Sequence, residues 1–407
     1  MRKKYKNKIN SKIELQSQFQ ELKPTKNQLI SEIANPKNDL EFVVFNNQYF
    51  NVLDKTLRSK GGNVGIRLYD ECLLDAHCYS VLNTRWQAVV GREWKIVPAS
   101  GKLKDKNIAK FVEQTLYNTN FDFIRYKLLH SILYGYYCAE VIWKVNNGQI
   151  IVDKFIDKHP IKFTFDANRT LRLLTKDNMI DGISIPDKKF ILMQYGSVDT
   201  PYGLPLGQSL FWLTYFKKTN IKYWLIFGER FGQPAILGSY PNGTPDEIQN
   251  KIQNVLNSIQ TNSSITLPDD VKIQLLETGK SGNSTYSDFC DFINREMSKE
   301  VLGQVLTTEN GQNGSYSLGK VQEGVRQDIL ESDADLLDEN LNSTIIKWIV
   351  DLNYNTIDYP KLITDTTPPI NLLEKSQVDK NLSEIGLKLS GSYFTKTYNL
   401  SEDDIVI

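Results

Sequence analysis

A helix-dominated α+β architecture is expected for this chain from three observations. Apolar residues recur at helical spacing over three long stretches, about 208–231, 287–306 and 319–352. Shorter runs between about 139 and 174 meet at Asn-Gly and Asp-Ala-Asn turn signals, the pattern of β-hairpins. Glycine and proline clusters at 61–65 and 201–207 mark breaks between these regions.

Taken in order, residues 1–60 are rich in Lys, Asn and Gln with scattered apolar positions, and read as an arm with one or two short helices. An α+β unit is expected over 61–206. Its first helix spans about 68–90, with Leu73, Leu74, Cys78, Val81, Leu82 and Val89 near one face, and Trp94, Ile96 and Val97 then alternate into a strand that Pro98 ends. Helices over about 104–116 and 121–134 precede two hairpins. In the first, 139–145 turns at Asn146, Asn147 and Gly148 into 150–155; in the second, Phe163 and Phe165 turn through Asp166, Ala167 and Asn168 into 170–174. A long helix follows over 208–231, with Leu210, Leu213, Phe216, Trp224, Phe227 and Phe231 at apolar positions and Lys217, Lys218, Lys222 and Arg230 on the others. Gly232 and Pro234 stop it. A compact insert comes next, with strands at 235–237, 264–267 and 271–276 and a helix over 245–259. The second long helix, 287–306, carries Phe289, Phe292, Ile293, Met297, Val301, Leu302 and Val305 at helical spacing. The polar, glycine-containing run from Thr307 to Ser315 cannot continue a helix cheaply, so 307–318 is a loop before a third long helix over 319–352. The tail after Pro360 holds one amphipathic piece near 378–389.

A chain of 407 residues, 40% apolar and 11% aromatic, is long enough for two or three packed units. Lys plus Arg equals Asp plus Glu at 48 each, so no field over the whole surface holds a polyanion tightly. A sequence-specific DNA binder is disfavoured, whereas a protein that DNA must slide past is not. Cys72, Cys78, Cys138 and Cys290 are spread along the chain as buried free thiols of a reducing compartment are, and no disulfide is expected. The basic start from Arg2 to Lys8 lacks the apolar segment of a secretion signal. The most apolar stretch, Leu128 to Trp143, is broken by His130, Ser131, Gly135 and Glu140, so no membrane span is expected.

Catalytic chemistry finds little purchase. Thr278, Gly279, Lys280 and Ser281 resemble the end of a phosphate-binding loop, but Gln274 stands where its first glycine belongs. His77 beside Cys78 and Cys72 is the one cluster of ligand types, and a continuous helix would turn Cys72 and Cys78 to different faces, so no metal or cofactor is expected. Asp70, Glu71 and Asp75 at a helix start favour the macrodipole, which accounts for them without catalysis. The basic and aromatic residues of 208–231, Lys217, Lys218, Lys222 and Arg230 beside Tyr215, Phe216, Tyr223 and Trp224, are those of a packed and a solvated face unless the helix lines a pore.

Four phrases, in order, carry a resemblance. They are Tyr69-Asp70-Glu71 through Gly91-Arg92-Glu93-Trp94; Leu133-Tyr134-Gly135-Tyr136 with Ala139-Glu140-Val141; Pro201-Tyr202-Gly203-Leu204 through Phe231-Gly232-Gln233-Pro234; and Leu302-Gly303-Gln304 through Asp333-Ala334. Together they resemble the Mu-like bacteriophage portal proteins over about 65–350. The resemblance implies a ring subunit at one capsid vertex, a conduit for double-stranded DNA during packaging and ejection, assembled in the host cytoplasm and without catalytic activity. In that plan 61–206 is the wing, 207–233 and 285–306 the stem helices, 234–284 the clip, 307–318 the tunnel loop, 319–352 a long wing helix and 353–407 a small crown or further wing. The tunnel loop then presents Thr308, Glu309, Asn310, Gly311, Gln312, Asn313, Gly314 and Ser315 to DNA, and the stem presents Lys217, Lys218, Lys222 and Arg230. Clip residues Tyr240, Asn242, Asp246, Asp269 and Asp270 would meet partners. Those implied are about twelve copies of the chain itself, the terminase large subunit, head-tail adaptor or neck proteins and the major capsid protein. A loop of amides and glycines suits a channel, because no phosphate contact is deep enough to trap the duplex. The competing readings are a nucleic-acid-processing enzyme of a mobile element, with Glu229 or Asp328 as its acid, and a minor capsid protein.

Overall fold

The computed structural model describes residues 29–34, 54–62, 64–196, 199–231, 235–258, 272–276, 281–305, 316–368 and 371–398. It divides into two units, Met1–Thr364 and Asp365–Ile407.

In the first unit a 3-10 turn, Gly65–Tyr69, leads into helix α1 (Asp70–Leu73) and then α2 (Ala76–Val90). The helix expected over 68–90 is therefore interrupted. Asp75 is extended at the break, and its carboxylate caps α2 by accepting from the amides of His77 and Cys78 at 3.1 and 2.9 Å. The break also corrects the expected facing of Cys72 and Cys78. Both are fully buried, and the Cys72 thiol is pushed up by its hydrogen bond to Cys78 and by burial. All four cysteines are free thiols, with Cys290 only partly buried.

Strand β1 (Trp94–Val97), α3 (Leu103–Tyr117), α4 (Phe121–Leu128) and α5 (Ser131–Tyr134) follow. The helix expected over 121–134 is thus two short ones. Next come β2 (Tyr136–Asn146) and β3 (Gln149–Lys158), antiparallel, whose tight turn puts Asn147 and Gly148 at φ 49° and 80°, the left-handed pair such a turn requires. A second sheet is built from β4 (Phe163–Phe165), β5 (Leu171–Thr175) and β6 (Asn178–Ser184). Strand β7 (Phe190–Gln194) returns to the free edge of β2, giving the order β3-β2-β7. From Tyr136 to Trp143 every residue of β2 is buried, so the central strand does not alternate.

The chain then reaches α6 (Gly207–Phe231) through Gly203, whose φ is +67° and where an added Cβ would lie 2.1 Å from the Gly135 carbonyl oxygen. Beyond α6 lie β8 (Ala235–Ser239), α7 (Asp246–Ser258) and β9 (Lys272–Leu276), with β8 and β9 antiparallel. The strand expected at 264–267 lies outside the described residues. Helix α8 (Ser281–Leu302) and helix α9 (Tyr316–Leu341) come next, and a wide π-helical turn, Asn342–Ile346, carries α9 into α10 (Lys347–Asn353). Strand β10 (Lys361–Thr364) pairs antiparallel with β1, Trp94 opposite Thr364. The segment expected as one piece over 353–407 therefore splits at Thr364, because β10 completes a sheet of the first unit.

One core runs through α2, the β3-β2-β7 sheet, α8 and α9, with Trp86, Phe121, Trp143, Met297, Leu337 and Ile349 fully or almost fully buried. Part of the N-terminal arm joins it. The Glu140 carboxylate, fully buried on β2, accepts from the amides of Ile33 and Ala34 at 2.6 and 3.3 Å, while Lys189 and Lys158 donate to the carbonyls of Leu29 and Ala34 at 3.0 and 2.7 Å. In the second unit, α11 (Leu372–Glu384) and α12 (Gly391–Tyr398) are tied by Asp379, which accepts from Tyr393 and Tyr398 hydroxyls at 2.9 and 2.8 Å. The amphipathic piece expected at 378–389 starts earlier, at Leu372.

Candidate functional site

α6 and α8 form an antiparallel hairpin. Ser209 Oγ donates to Glu300 Oε1 at 2.8 Å near its base, and further along Asn220 Nδ2 donates to the Tyr286 carbonyl at 2.9 Å and lies 3.3 Å from Cys290 Sγ. Beyond that, the rings of Phe227 and Tyr286 are 5.6 Å apart. The β8–α7–β9 insert connects the far ends of these two helices.

The base of the hairpin is held rigidly. Arg85 on α2, almost buried, makes a bidentate pair with Asp333 on α9 at 2.7 and 2.9 Å, and also donates to the Val301 carbonyl of α8 at 2.9 Å and to the Tyr195 hydroxyl at 3.0 Å. Burial alone would lower the Arg85 guanidinium; the hydrogen bonds and charge of Asp333 outweigh it and raise it. His77 Nε2 contacts Ser298 Oγ at 2.8 Å, joining α2 to α8 again. The start of α6 is fixed by Thr56, which donates to the Gln208 carbonyl at 3.0 Å and accepts from Trp212 Nε1 at 3.1 Å. Gly207 lets the helix begin against the Tyr69 ring, where an added Cβ would come within 2.5 Å. Tyr69 donates to Asp54, and burial followed by the Asp54 charge pushes its hydroxyl up.

The four basic residues expected along the first stem helix fare differently. Lys217 turns onto Asp75 at 2.7 Å and its side chain is only 11% exposed, so it serves the chain's own fold. Lys218 pairs with Glu71 at 3.0 Å but is 72% exposed, and Lys222 is exposed. Arg230 lies in α6, and its side chain is outside the described residues. On the insert, Tyr240 donates to Gln249 Oε1 at 3.2 Å while remaining exposed, and Asn242 and Asp246 are exposed, Asp246 in the first turn of α7. Asp269 and Asp270 lie outside the described residues, as do all of Thr308, Glu309, Asn310, Gly311, Gln312, Asn313, Gly314 and Ser315, which fall between α8 and α9.

Helical periodicity did not anticipate how much of the apolar surface stays open. Phe216 on α6 and Phe289 and Phe292 on α8 occupy positions expected to pack, yet each is exposed, as are Tyr215, Tyr223 and Leu225. Among the described residues no group of His, Cys, Asp and Glu side chains is placed to hold a metal ion, and no helix is long and apolar enough to cross a membrane.

The sequence matches the family model described as "Portal protein of Mu bacteriophage" over residues 66–400. It is 23% identical over 335 residues to the portal protein of Escherichia phage Mu, covering 81% of this chain and 65% of that protein, so the chain spans just under two thirds of that relative's length. Among solved structures, a chain of the virion of a native gene transfer agent particle is similar with a TM-score of 0.57 at 10% identity, covering 83% of this chain and 93% of the other. A chain from the neck of a native gene transfer agent particle, computed with C12 symmetry, gives a TM-score of 0.55 at 10% identity, covering 83% and 92%. At such identity the likeness is one of fold. The family match takes in everything from the turn before α1 to the end of α12, and on that extent this chain belongs to the family of Mu bacteriophage portal proteins.

Proposed function

We propose that copies of this chain close into a ring at one capsid vertex and form the conduit for double-stranded DNA during packaging and ejection. The observation that carries the reading is the α6–α8 hairpin, fixed at its base by Arg85 and Asp333 and carrying a β-helix-β insert at its far end, within a chain that matches the portal family over 66–400. In this reading 61–206 and 319–352 form the wing, 207–233 and 285–306 the stem, and 234–284 the clip. The clip, with Tyr240, Asn242, Asp246, Asp269 and Asp270, docks the terminase large subunit and later the head-tail adaptor or neck proteins, while the wing meets the major capsid protein. Residues 307–315 form the tunnel loop, 316–318 belonging to α9, and of the 353–407 segment the part after Thr364 forms a small crown or further wing. The fold likeness to a chain of a gene transfer agent neck computed with C12 symmetry, beside another neck computed with C6 symmetry, supports a count of about twelve copies.

The chain's role is structural. Asp75 caps α2 and pairs with Lys217, and Asp333 pairs with Arg85, so both serve the fold. The test is electron microscopy and mass photometry of the purified full chain, with rings of about a dozen copies around an axial hole expected. A monodisperse monomer at high concentration overturns the reading. So does metal-dependent nuclease or ATPase turnover that is lost on Glu229→Gln or Asp328→Asn.

A further inference from the structure

The hairpin leaves two chemically unlike surfaces open. On α6, Tyr215, Ile221, Leu225 and Ile226 are between 39% and 66% exposed, and a groove of about 500 Å3 runs beside the helix between Leu68, Phe211, Tyr215, Lys218 and Lys222. From 208 to 228 this helix carries Lys217, Lys218 and Lys222 and no carboxylate. Lys217 is engaged with Asp75; Lys218, 72% exposed and paired with Glu71, and exposed Lys222 line the groove together with Glu71, so its rim is net positive. On α8, Phe289 and Phe292 are stacked 6.4 Å apart and stand 39% and 48% exposed. Exposed Asp288 and Asp291 flank them, and no Lys or Arg occurs from 281 to 294.

Contiguous exposed apolar surface rimmed by charge marks a protein contact. Here the two rims have opposite sign. We infer that these surfaces are the two halves of one contact between neighbouring copies: Phe289 and Phe292 of one copy enter the α6 groove of the next, and Asp288 and Asp291 meet Lys218 and Lys222. The inference rests on the ring reading and deepens it by assigning the residues that close the ring.

Two features of the geometry favour a second copy as the occupant. Asn220 touches both Tyr286 and Cys290, so the Lys218–Lys222 and Asp288–Asp291 segments stand at the same level along the hairpin. Rotation about an axis along the hairpin brings equal levels together and closes a ring, whereas a contact between unequal levels needs a translation and gives an open filament. In addition, the charges forbid self-pairing. Lysines set against lysines, or aspartates against aspartates, repel, so each face is matched by the unlike face of another copy.

The test uses the full chain with three variants at fixed concentration, counting rings by mass photometry and electron microscopy and checking each fold by its melting transition. Lys218→Glu with Lys222→Glu lowers the ring population by about tenfold or more, as does Asp288→Lys with Asp291→Lys. All four changes in one chain restore the rings, since every contact again joins opposite charges. Restoration also shows that the altered helices fold, and loss of the exposed Glu71 pair to Lys218 costs the subunit little. Rings that persist unchanged in each two-residue variant overturn this contact and leave the ring reading standing. Rings lost in both and not regained in the four-residue variant overturn the pairing of these faces. A wild-type chain that never forms rings overturns the ring reading and this contact with it.

Discussion

Arg85 shows how much of the subunit converges on one side chain. Its guanidinium joins α2, α8, α9 and the Tyr195 hydroxyl from a site only 9% exposed, so removing one partner strands a buried charge. Arg85→Met or Asp333→Leu alone is expected to cost about 3–5 kcal/mol in urea unfolding, and the two together markedly less than their sum. Additive losses would show that the pair is not coupled. His130 offers a pH-dependent counterpart. It stacks on Trp86 at 4.0 Å, and burial, then the Lys127 charge, lower its pKa from 6.5 to about 3. Because the folded pKa is depressed, the unfolded chain alone takes up this proton between pH 6.5 and 3. His130 therefore costs stability as pH falls through that window, with a slope approaching about 1.4 kcal/mol per pH unit. His130→Phe keeps the stacking and removes the slope, so the stability difference from wild type should shift by roughly 2 kcal/mol between pH 6.5 and 4.5, in favour of the variant at the lower pH. Neither residue's role was legible in the sequence. Thr84-Arg85 and Asp333-Ala334 belong to the phrases that carry the resemblance, yet the two partners lie 248 positions apart and nothing local links them.

At the scale of elements, what could be read was what local chemistry decides. The Asn147-Gly148 turn has two left-handed residues and fixes the β2–β3 hairpin, and three long periodic stretches became α6, α8 and α9 with α10. Elements decided by distant partners were missed. Strand β6 contains Asp181 and Gly182, poor strand formers, and β10 has four residues that become a strand by lying against β1. The break at Asp75 was missed because apolar periodicity runs across it, although Asp75 itself is a good cap. The docking of residues 29–34 belongs here too. Glu140 sits between Lys189 and Lys158 at 3.5 and 3.6 Å, and burial lowers the Lys189 pKa against the pull of Glu140. Glu140→Gln removes the buried counter-charge of Lys189, leaves Lys158 with Glu32 as its carboxylate partner, and weakens the acceptor for the Ile33 and Ala34 amides. Hydrogen exchange at those two amides should accelerate by about tenfold or more while exchange in the α2 core changes less. Equal acceleration everywhere would mean that Glu140 stabilises the whole unit and not this attachment.

For the whole molecule, periodicity reports which residues are apolar but not which surface covers them, and this is why Phe216, Phe289 and Phe292 read as core yet stand open on a single subunit. Assembly-level features are visible in one chain only as such unmet surfaces. The charge balance of 48 against 48 has its own consequence for the proposed conduit. Duplex DNA is held by counterion release in proportion to the phosphates neutralised, so a channel that must let it pass needs few fixed cations at its narrowest ring. Residues 310–315 supply amides, glycines and a hydroxyl, with Glu309 as the one charge beside them. Asn310→Lys, Gln312→Lys and Asn313→Lys together add three cations per copy. If this segment faces DNA, assembled rings should then retain linear duplex at about 150 mM salt where wild-type rings release it, with retention falling steeply as salt rises. The same three changes should leave ring formation intact, because the contact between copies is assigned to α6 and α8. Unaltered retention with an unaltered salt slope would place residues 310–313 away from the duplex.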